Sequence, residues 1–171
     1  MKITALEEYG LRCMMQLAQG GTDDPMTGAL VAENEGLTRD YAGKLLNLLS
    51  QHDLVESLRG RNGGFVLARP AADITVADIV RALSNDIFDS EYCERHGGAE
   101  SVCVHDSSCA LRPVWSTVSE MIALTLESIT LQDLLRTEGQ LSQELKPLGD
   151  LTPGGTGAAR ALHQLEVRER T

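Results

Sequence analysis

The sequence has few of the features that define several large classes of protein. Aromatic residues make up 4% of its 171 residues, and it has only four cysteines. No apolar run approaches the roughly 18 residues that a membrane span needs. The N-terminal stretch MKITALEEYG has two adjacent acids where a signal peptide has an apolar core. These absences predict a cytosolic protein, in a compartment where thiols stay reduced.

Positive charge is also scarce. Asp and Glu number 25 against 15 Lys and Arg, which gives a net charge of −10. This opposes nucleic-acid binding at first sight, because phosphate contacts need cations. The distribution is uneven, however: residues 1–70 carry 7 basic and 9 acidic side chains, whereas residues 71–110 carry 2 and 8. A basic surface can therefore exist in the N-terminal part.

Residues 1–84 have the pattern of a winged helix-turn-helix. Thr4 and Glu7 form a capping box ahead of a first amphipathic helix. Two further helices, which begin after Thr27 and Thr38, are separated by a Gly-containing turn, as is typical of a helix-turn-helix. On this pattern alone, an ordinary helical hairpin remains the alternative.

The second of these two helices is predicted to be the recognition helix. In a helix-turn-helix, its first residues meet base edges and phosphates. Arg can bond bidentately to guanine, Tyr can reach a phosphate, and Asp can accept from cytosine or suit the positive helix terminus. The predicted DNA-contacting residues of this helix are Thr38, Arg39, Asp40, Tyr41 and Lys44.

A slim basic hairpin follows. Extended segments are predicted at Leu54–Leu58 and Phe65–Ala68, with a Gly- and Asn-rich turn that suits a hairpin. Arg59 and Arg61 lie at its tip among residues with little side-chain bulk, so the tip can enter a minor groove. The alternative is a surface hairpin whose arginines are merely solvated.

Three cysteines lie in one polar segment, as C-x9-C-x5-C at Cys93, Cys103 and Cys109. In a reducing compartment such a group indicates metal binding or redox chemistry more than a disulfide framework. Cys13 falls on the apolar face of the first helix and is predicted to be a core residue.

Several chemistries compete for the three cysteines. Iron–sulfur clusters are held chiefly by thiolates. A Cys₃His zinc site with His105 is the nearest rival, but the tight cysteine pairs usual in structural zinc sites are absent. A metal-free thiol switch is a second rival. A Cys103–His105 nucleophilic pair would make an enzyme, but no Gly-rich phosphate loop or oxyanion-hole motif accompanies it, so no catalytic residue is assigned.

A long helix is predicted after the cysteines, with an apolar stripe too broad for a chain of this size. One part of the stripe is therefore expected to meet a second copy of the chain. The stripe consists of Leu111, Val114, Trp115, Val118, Met121, Ile122, Thr125, Leu126 and Ile129. Residues 137–171, with a Gly- and Pro-rich stretch, are predicted to be a flexible tail.

The motifs ALEEYGLRCMMQLA, SLRGRNGGFVLAR, the three cysteines and RPVW…ESITLQDLL occur in that order. Over residues 1–136 the chain resembles the IscR/NsrR/RirA superfamily of winged-helix regulators, also called the Rrf-two family. The resemblance implies a mainly helical fold with a small β-hairpin, and a homodimeric repressor that binds palindromic operators. It also implies an iron–sulfur cluster, [2Fe-2S] or [4Fe-4S], that sets DNA affinity. The expected division is 1–84 (DNA binding), 85–110 (cluster loop), 111–136 (dimerisation) and 137–171 (tail).

The resemblance also indicates the fourth cluster ligand. The IscR branch uses a His three residues after the last cysteine, but Arg112 occupies that position here. The NsrR branch uses an acidic residue of the first helix, supplied by the other subunit, and Glu8 matches it. The alternative for Glu8 is a surface pair with Arg12 at i,i+4. Local competitors as ligand are His96, His105 and Asp106.

Overall fold

A computed structural model gives the fold and describes residues 3–60, 63–84, 92, 103, 105 and 108–149. The helices within these residues are α1 (Ala5–Gly20), α2 (Gly28–Glu35), α3 (Arg39–Gln51), α4 (Val76–Leu83), α5 (Leu111–Glu127) and α6 (Glu138–Gly149). The strands are β1 (Val55–Leu58) and β2 (Gly64–Leu67), which pair antiparallel. The predicted fold class, mainly helical with one small hairpin, is confirmed.

The chain divides into two compact units, Met1–Leu135 and Arg136–Thr171. The first unit contains the helix-turn-helix, the hairpin and α5. The predicted boundaries at residues 84 and 110 stay predictions, since residues 85–91 and 93–102 lie outside the described residues.

Threonine caps set the starts of the N-terminal helices. The backbone N–H of Thr4 donates to the Glu7 carboxylate at 2.6 Å. The Thr38 hydroxyl accepts from the Tyr41 N–H at 3.3 Å, and Thr27 caps α2 in the same way. Each cap satisfies a helix N–H that has no partner within the helix. The helices therefore begin where the sequence predicted.

The core lies where α1, α3 and α4 meet the base of the hairpin. Its largest fully buried side chains are Met14, Leu17, Val31, Leu45, Leu46, Leu49, Leu54, Val55, Ile74, Ile79 and Leu131. Cys13 is among the core residues, as predicted. Burial raises the pKa of its thiol to about 11, so this sulfur stays protonated at neutral pH.

The C-terminal end of α5 is anchored to this core. The N–H of Val76 donates to the Ile129 carbonyl at 2.8 Å, and the Leu131 N–H donates to the Ile74 carbonyl at 2.8 Å. Arg81 of α4 pairs with Glu127 at 2.6 Å. Leu131 is fully buried. These contacts fix one end of α5 against α4 and the helical core.

The stretch predicted to be a flexible tail from residue 137 begins instead as helix α6. The backbone N–H and the hydroxyl of Thr137 both donate to the Gln140 side-chain oxygen, at 3.1 and 3.0 Å. Leu141 and Leu145 recur at i,i+4 on the helix. The Gly- and Pro-rich composition that suggested a tail belongs mostly to residues 150–171, which lie outside the described residues.

Of the helices that the structure describes, none is long and apolar enough to cross a membrane.

Candidate nucleic-acid interface and cysteine segment

The turn between α2 and α3 is held by backbone hydrogen bonds. Gly36 adopts a left-handed conformation with φ of 65°, which glycine reaches without strain. Its N–H donates toward the Ala32 and Glu33 carbonyls, and the Leu37 N–H donates to the Ala32 carbonyl at 2.8 Å. This Schellman-type ending fixes the direction in which α3 leaves α2.

Helix α3 buries one face and exposes the other. Ala42, Leu45, Leu46 and Leu49 are fully buried, so the helix cannot rotate without opening the core. Thr38, Arg39, Asp40 and Lys44, which the sequence predicted to contact DNA, are exposed.

The exposed polar face of α3 extends beyond the predicted contact residues. Asn47 is also exposed and lies three residues after Lys44 and seven after Asp40, a spacing that keeps them on one face. Amides can bond bidentately to adenine. The signal that could have found Asn47 is its polarity in the middle of a run of leucines, LLNLL.

Tyr41 differs from the other predicted contact residues because its ring is partly used inside the fold. It packs edge-on against Tyr9 of α1, with the ring centroids 6.0 Å apart. The Arg12 guanidinium lies over the Tyr9 ring, 5.3 Å from its centroid. Tyr41 therefore connects α3 to α1.

The hairpin is attached to the body through Met26. The N–H of Met26 donates to the Phe65 carbonyl at 3.0 Å, and the Phe65 N–H donates back to the Met26 carbonyl at 2.9 Å. A Cβ on Gly64 would lie 2.7 Å from that Met26 oxygen, so the close approach requires glycine there. No local sequence signal predicts this third stretch beside the hairpin.

The wing tip presents one described arginine. Gly60 has φ of 117°, and the Gly63 N–H donates to the Gly60 carbonyl at 3.0 Å. Arg59 is exposed next to this turn. Arg61 lies outside the described residues.

Arg69, at the base of the hairpin, is engaged by the protein itself. Its guanidinium donates to the Asp73 and Asp53 carbonyls at 3.0 and 3.2 Å and pairs with the Asp78 carboxylate at 3.0 Å. Partial burial opposes ionisation of Asp78, but bonds from Thr75 and Arg69 outweigh it. They lower the pKa of Asp78 below its usual 3.8.

Glu8 and Arg12, the two residues of the alternative surface pair, have different surroundings. Arg12 donates to the Glu35 carboxylate at 2.6 Å, and Gln16 donates to its other oxygen at 2.6 Å. The Glu35 side chain is 8% exposed. Within the described part of the chain, no hydrogen bond or ion pair to the exposed Glu8 carboxylate is found, so Glu35 is the direct partner of Arg12. The hydrogen bond from Glu35 is the main cause that raises the pKa of Arg12, and the charge of Glu8 adds to it.

The structure describes two of the three cysteines of the polar segment. Cys103 and Cys109 are half-buried free thiols, and His105 is exposed. Cys93, His96 and Asp106 lie outside the described residues. Arg112, at the start of α5, is a cationic donor and cannot ligate iron. Within the described ranges, no three His, Cys, Asp or Glu residues come close enough to hold a metal ion. The ligand set of Cys93, Cys103, Cys109 and Glu8 therefore stays a prediction.

Helix α5 exposes a stripe of large apolar side chains, which we call the α5 stripe. Its members and exposed fractions are Leu111 (61%), Val114 (52%), Trp115 (40%), Val118 (38%) and Met121 (47%). None of the residues of α5 is buried in the single chain.

Comparison with known proteins gives a consistent result. Residues 3–137 match the family described as Rrf2, iron-dependent transcriptional regulator. The chain is 30% identical to protein Rrf2 of Nitratidesulfovibrio vulgaris over 135 residues, which are 79% of this chain and 88% of that one. Two solved structures are similar over 79% of the chain. They are T. potens IscR (33% identity, TM-score 0.61, 86% of that chain) and B. subtilis CymR, described as the global cysteine regulator (30%, 0.63, 96%).

Proposed function

The chain belongs to the Rrf2 family of iron-dependent transcriptional regulators and is a DNA-binding regulator rather than an enzyme; on that premise we propose a specific mode of action. The protein is a homodimeric repressor of the cytoplasm that binds a palindromic operator, and an iron–sulfur cluster sets its operator affinity. The observation that carries the DNA-binding mode is the exposed polar start of α3, on a helix whose other face is fixed in the core.

In this mode α3 enters the major groove and the wing enters an adjacent minor groove. Arg39 and Lys44 supply cations at the start of α3, and Arg59 and Arg61 supply them at the wing. Six of the eight acidic residues in 71–110 belong to residues 85–110 of the sequence, and none belongs to α3 or the hairpin, which reconciles a net charge of −10 with phosphate binding.

The α5 stripe supports the homodimer. Single exposed apolar residues are normal, but five on one helix face, including the only tryptophan of the chain, are typical of an interface. In a two-fold dimer the same stripe is used by both copies, so α5 would pack on its counterpart. A dimer of this symmetry presents two α3 helices to two half-sites, which a palindrome supplies.

Cys93, Cys103 and Cys109 would hold the cluster, with Glu8 of the opposite subunit as the fourth ligand. Two observations support this donor set. Cys103 and Cys109 are free of disulfides and lie in a polar segment, and Glu8 is exposed while Arg12 is already bound to Glu35. When bound, the cluster, [2Fe-2S] or [4Fe-4S], would supply iron sites that respond to oxidants, nitric oxide or iron supply.

One feature of the comparisons favours a second candidate. B. subtilis CymR is described as a regulator of cysteine, so family membership alone does not select the effector. A zinc-binding or metal-free thiol-switch regulator with the same DNA-binding surface is therefore the alternative.

Anaerobic purification with an absorption spectrum and assays of iron, sulfide and zinc tests the cofactor. We expect a brown protein with iron and sulfide, and loss of the colour in the Cys93→Ala, Cys103→Ala and Cys109→Ala variants. Cys13→Ala is the matched control, because that buried thiol has a raised pKa and should leave the colour unchanged. A colourless protein with stoichiometric zinc, or with no metal, would replace the cluster with the corresponding alternative.

A further inference from the structure

Gly43 lies in the interior of α3, where glycine is a poor choice for the helix itself. Glycine in a helix interior destabilises relative to alanine, because it loses more backbone freedom on folding. Two intramolecular reasons commonly justify such a glycine. One is a positive φ angle, and the other is a neighbouring group that a Cβ would strike.

Neither reason applies to Gly43. It is not among the glycines with positive φ, which in the described residues are Gly21, Gly36 and Gly60. A Cβ built on Gly43 meets nothing within 4 Å. Gly10 of α1 shows the opposite case, since a Cβ there would collide with the Leu83 side chain. The fold therefore explains Gly10 and leaves Gly43 unexplained.

The position of Gly43 on α3 indicates where its reason lies. It is four residues after Arg39, three after Asp40 and four before Asn47, and all three are exposed. Residues at these spacings are neighbours on a helix surface. Gly43 thus forms a shallow point among the polar side chains that are proposed to meet DNA.

We propose that Gly43 is a specificity-determining residue of the operator contact, where the backbone of α3 approaches a base edge or methyl group of the major groove too closely for a Cβ. This inference rests on the proposed use of α3 in DNA binding. Arg39, Asp40 and Asn47 would then reach past Gly43 on either side.

The test is Gly43→Ala in the full-length protein, with thermal unfolding and DNA binding measured on the same preparation. The DNA probe is a duplex recovered by wild-type protein from a random-sequence library. We expect the melting temperature to rise by about 2–4 °C, since alanine favours the helix. Affinity for the selected duplex should fall about tenfold or more. The salt dependence of binding should not change, because no cation is removed.

Gly139→Ala is the matched control. Gly139 also lies in a helix with nothing within 4 Å of its Cβ position, but in α6. This variant should bind the selected duplex as the wild type does.

Each outcome decides the inference. A more stable Gly43→Ala with weaker binding and an altered base preference on reselection supports it. Unchanged affinity, or a loss of stability, overturns it while leaving DNA binding by α3 intact. Failure of the wild type to select any duplex overturns the proposed function and this inference together.

Discussion

Helices α3 and α5 are both amphipathic, but among the residues that the structure describes, only α3 has its apolar face covered. Leu45, Leu46 and Leu49 of α3 are completely buried, whereas α5 has no buried residue and exposes Trp115 by 40%. The core around the helix-turn-helix is thus formed within one chain. Helix α5 instead exposes the α5 stripe, an apolar surface that another molecule can cover.

The same contrast separates pairs of charged residues. Arg69 is bound by three groups of the protein, whereas Arg59 is exposed at the wing. Glu35 accepts from Arg12 and Gln16, whereas Glu8 points to solvent. The engaged member of each pair should matter for stability, and the exposed member for binding. Substitutions of matched residues test this difference.

The largest effect is expected from Val118→Glu on the α5 stripe. An unpaired carboxylate in a dimer interface costs about 4 kcal/mol, or roughly a thousandfold in the dimer Kd. Sedimentation at micromolar concentration should show the wild type at twice the chain mass and the variant as a monomer. Operator binding should weaken with it, since each monomer reads only one half-site.

Leu45→Ala in the core of α3 is the contrasting variant. It should lower the free energy of unfolding by about 2–5 kcal/mol through the cavity it leaves, while the remaining folded protein stays dimeric. Leu30→Glu, at an exposed leucine of α2, controls for added charge and should leave the mass unchanged. A wild type that sediments as a monomer would contradict the dimer and the cluster ligand from the opposite subunit.

The next effect separates the two arginines of the hairpin. Arg59→Ala should weaken operator binding by about 1–3 kcal/mol and reduce the salt slope by about one, with no change in melting temperature. Arg69→Ala should lower the melting temperature because Asp78 and two carbonyls lose their donor. It should leave the salt slope intact. Equal behaviour of the two variants in both measurements would remove the wing from the DNA interface.

A smaller effect, about 1 kcal/mol, is expected from Asp78→Asn on the free energy of unfolding and on its decline at acid pH. The pKa of Asp78 is lower in the folded protein than its usual 3.8. Its contribution is therefore present above pH 3.8 and is lost as the pH falls through the folded value. Asp78→Asn should lower the free energy of unfolding at pH 7 and flatten its decline below pH 4. Urea titrations across this range measure both, with Asp23→Asn, an exposed acid, as control.

Much of the fold could be predicted because its signals are local. The caps at Thr4, Thr27 and Thr38 involve residues three apart in sequence, and the burial of Leu45 and Leu49 follows helical periodicity. The turn chemistry at Gly60 likewise predicted the hairpin. These features depend on neighbours along the chain, which a sequence displays directly.

The parts that escaped prediction depend on contacts distant in sequence. Arg12 could be paired with Glu8 by spacing alone, but Glu35, 23 residues away, takes that role because the folded α2 ends beside α1. The Met26–Phe65 bridge is missed for the same reason. The candidate site divides similarly. The exposed start of α3 followed from its cap, whereas the proposed ligation by Glu8 involves a second chain and has no local signal.

Glu8→Ala is expected to have the smallest effect on stability. It is also the most direct test of the fourth ligand. The exposed Glu8 carboxylate makes no ion pair within the described residues, so its removal should change the free energy of unfolding by less than about 0.5 kcal/mol. Glu35→Ala, the engaged counterpart, should cost about 1–3 kcal/mol, because Arg12 and Gln16 lose their acceptor.

The cluster should respond in the opposite order. An oxygen donor is a weak partner for iron beside thiolates. Glu8→Ala should therefore leave a cluster held by three cysteines, with an altered spectrum, faster loss in air and changed operator affinity. Glu35→Ala should keep the wild-type spectrum. If the two variants have the same spectrum and cluster lifetime as the wild type, Glu8 is not a ligand and His105 is the next residue to substitute.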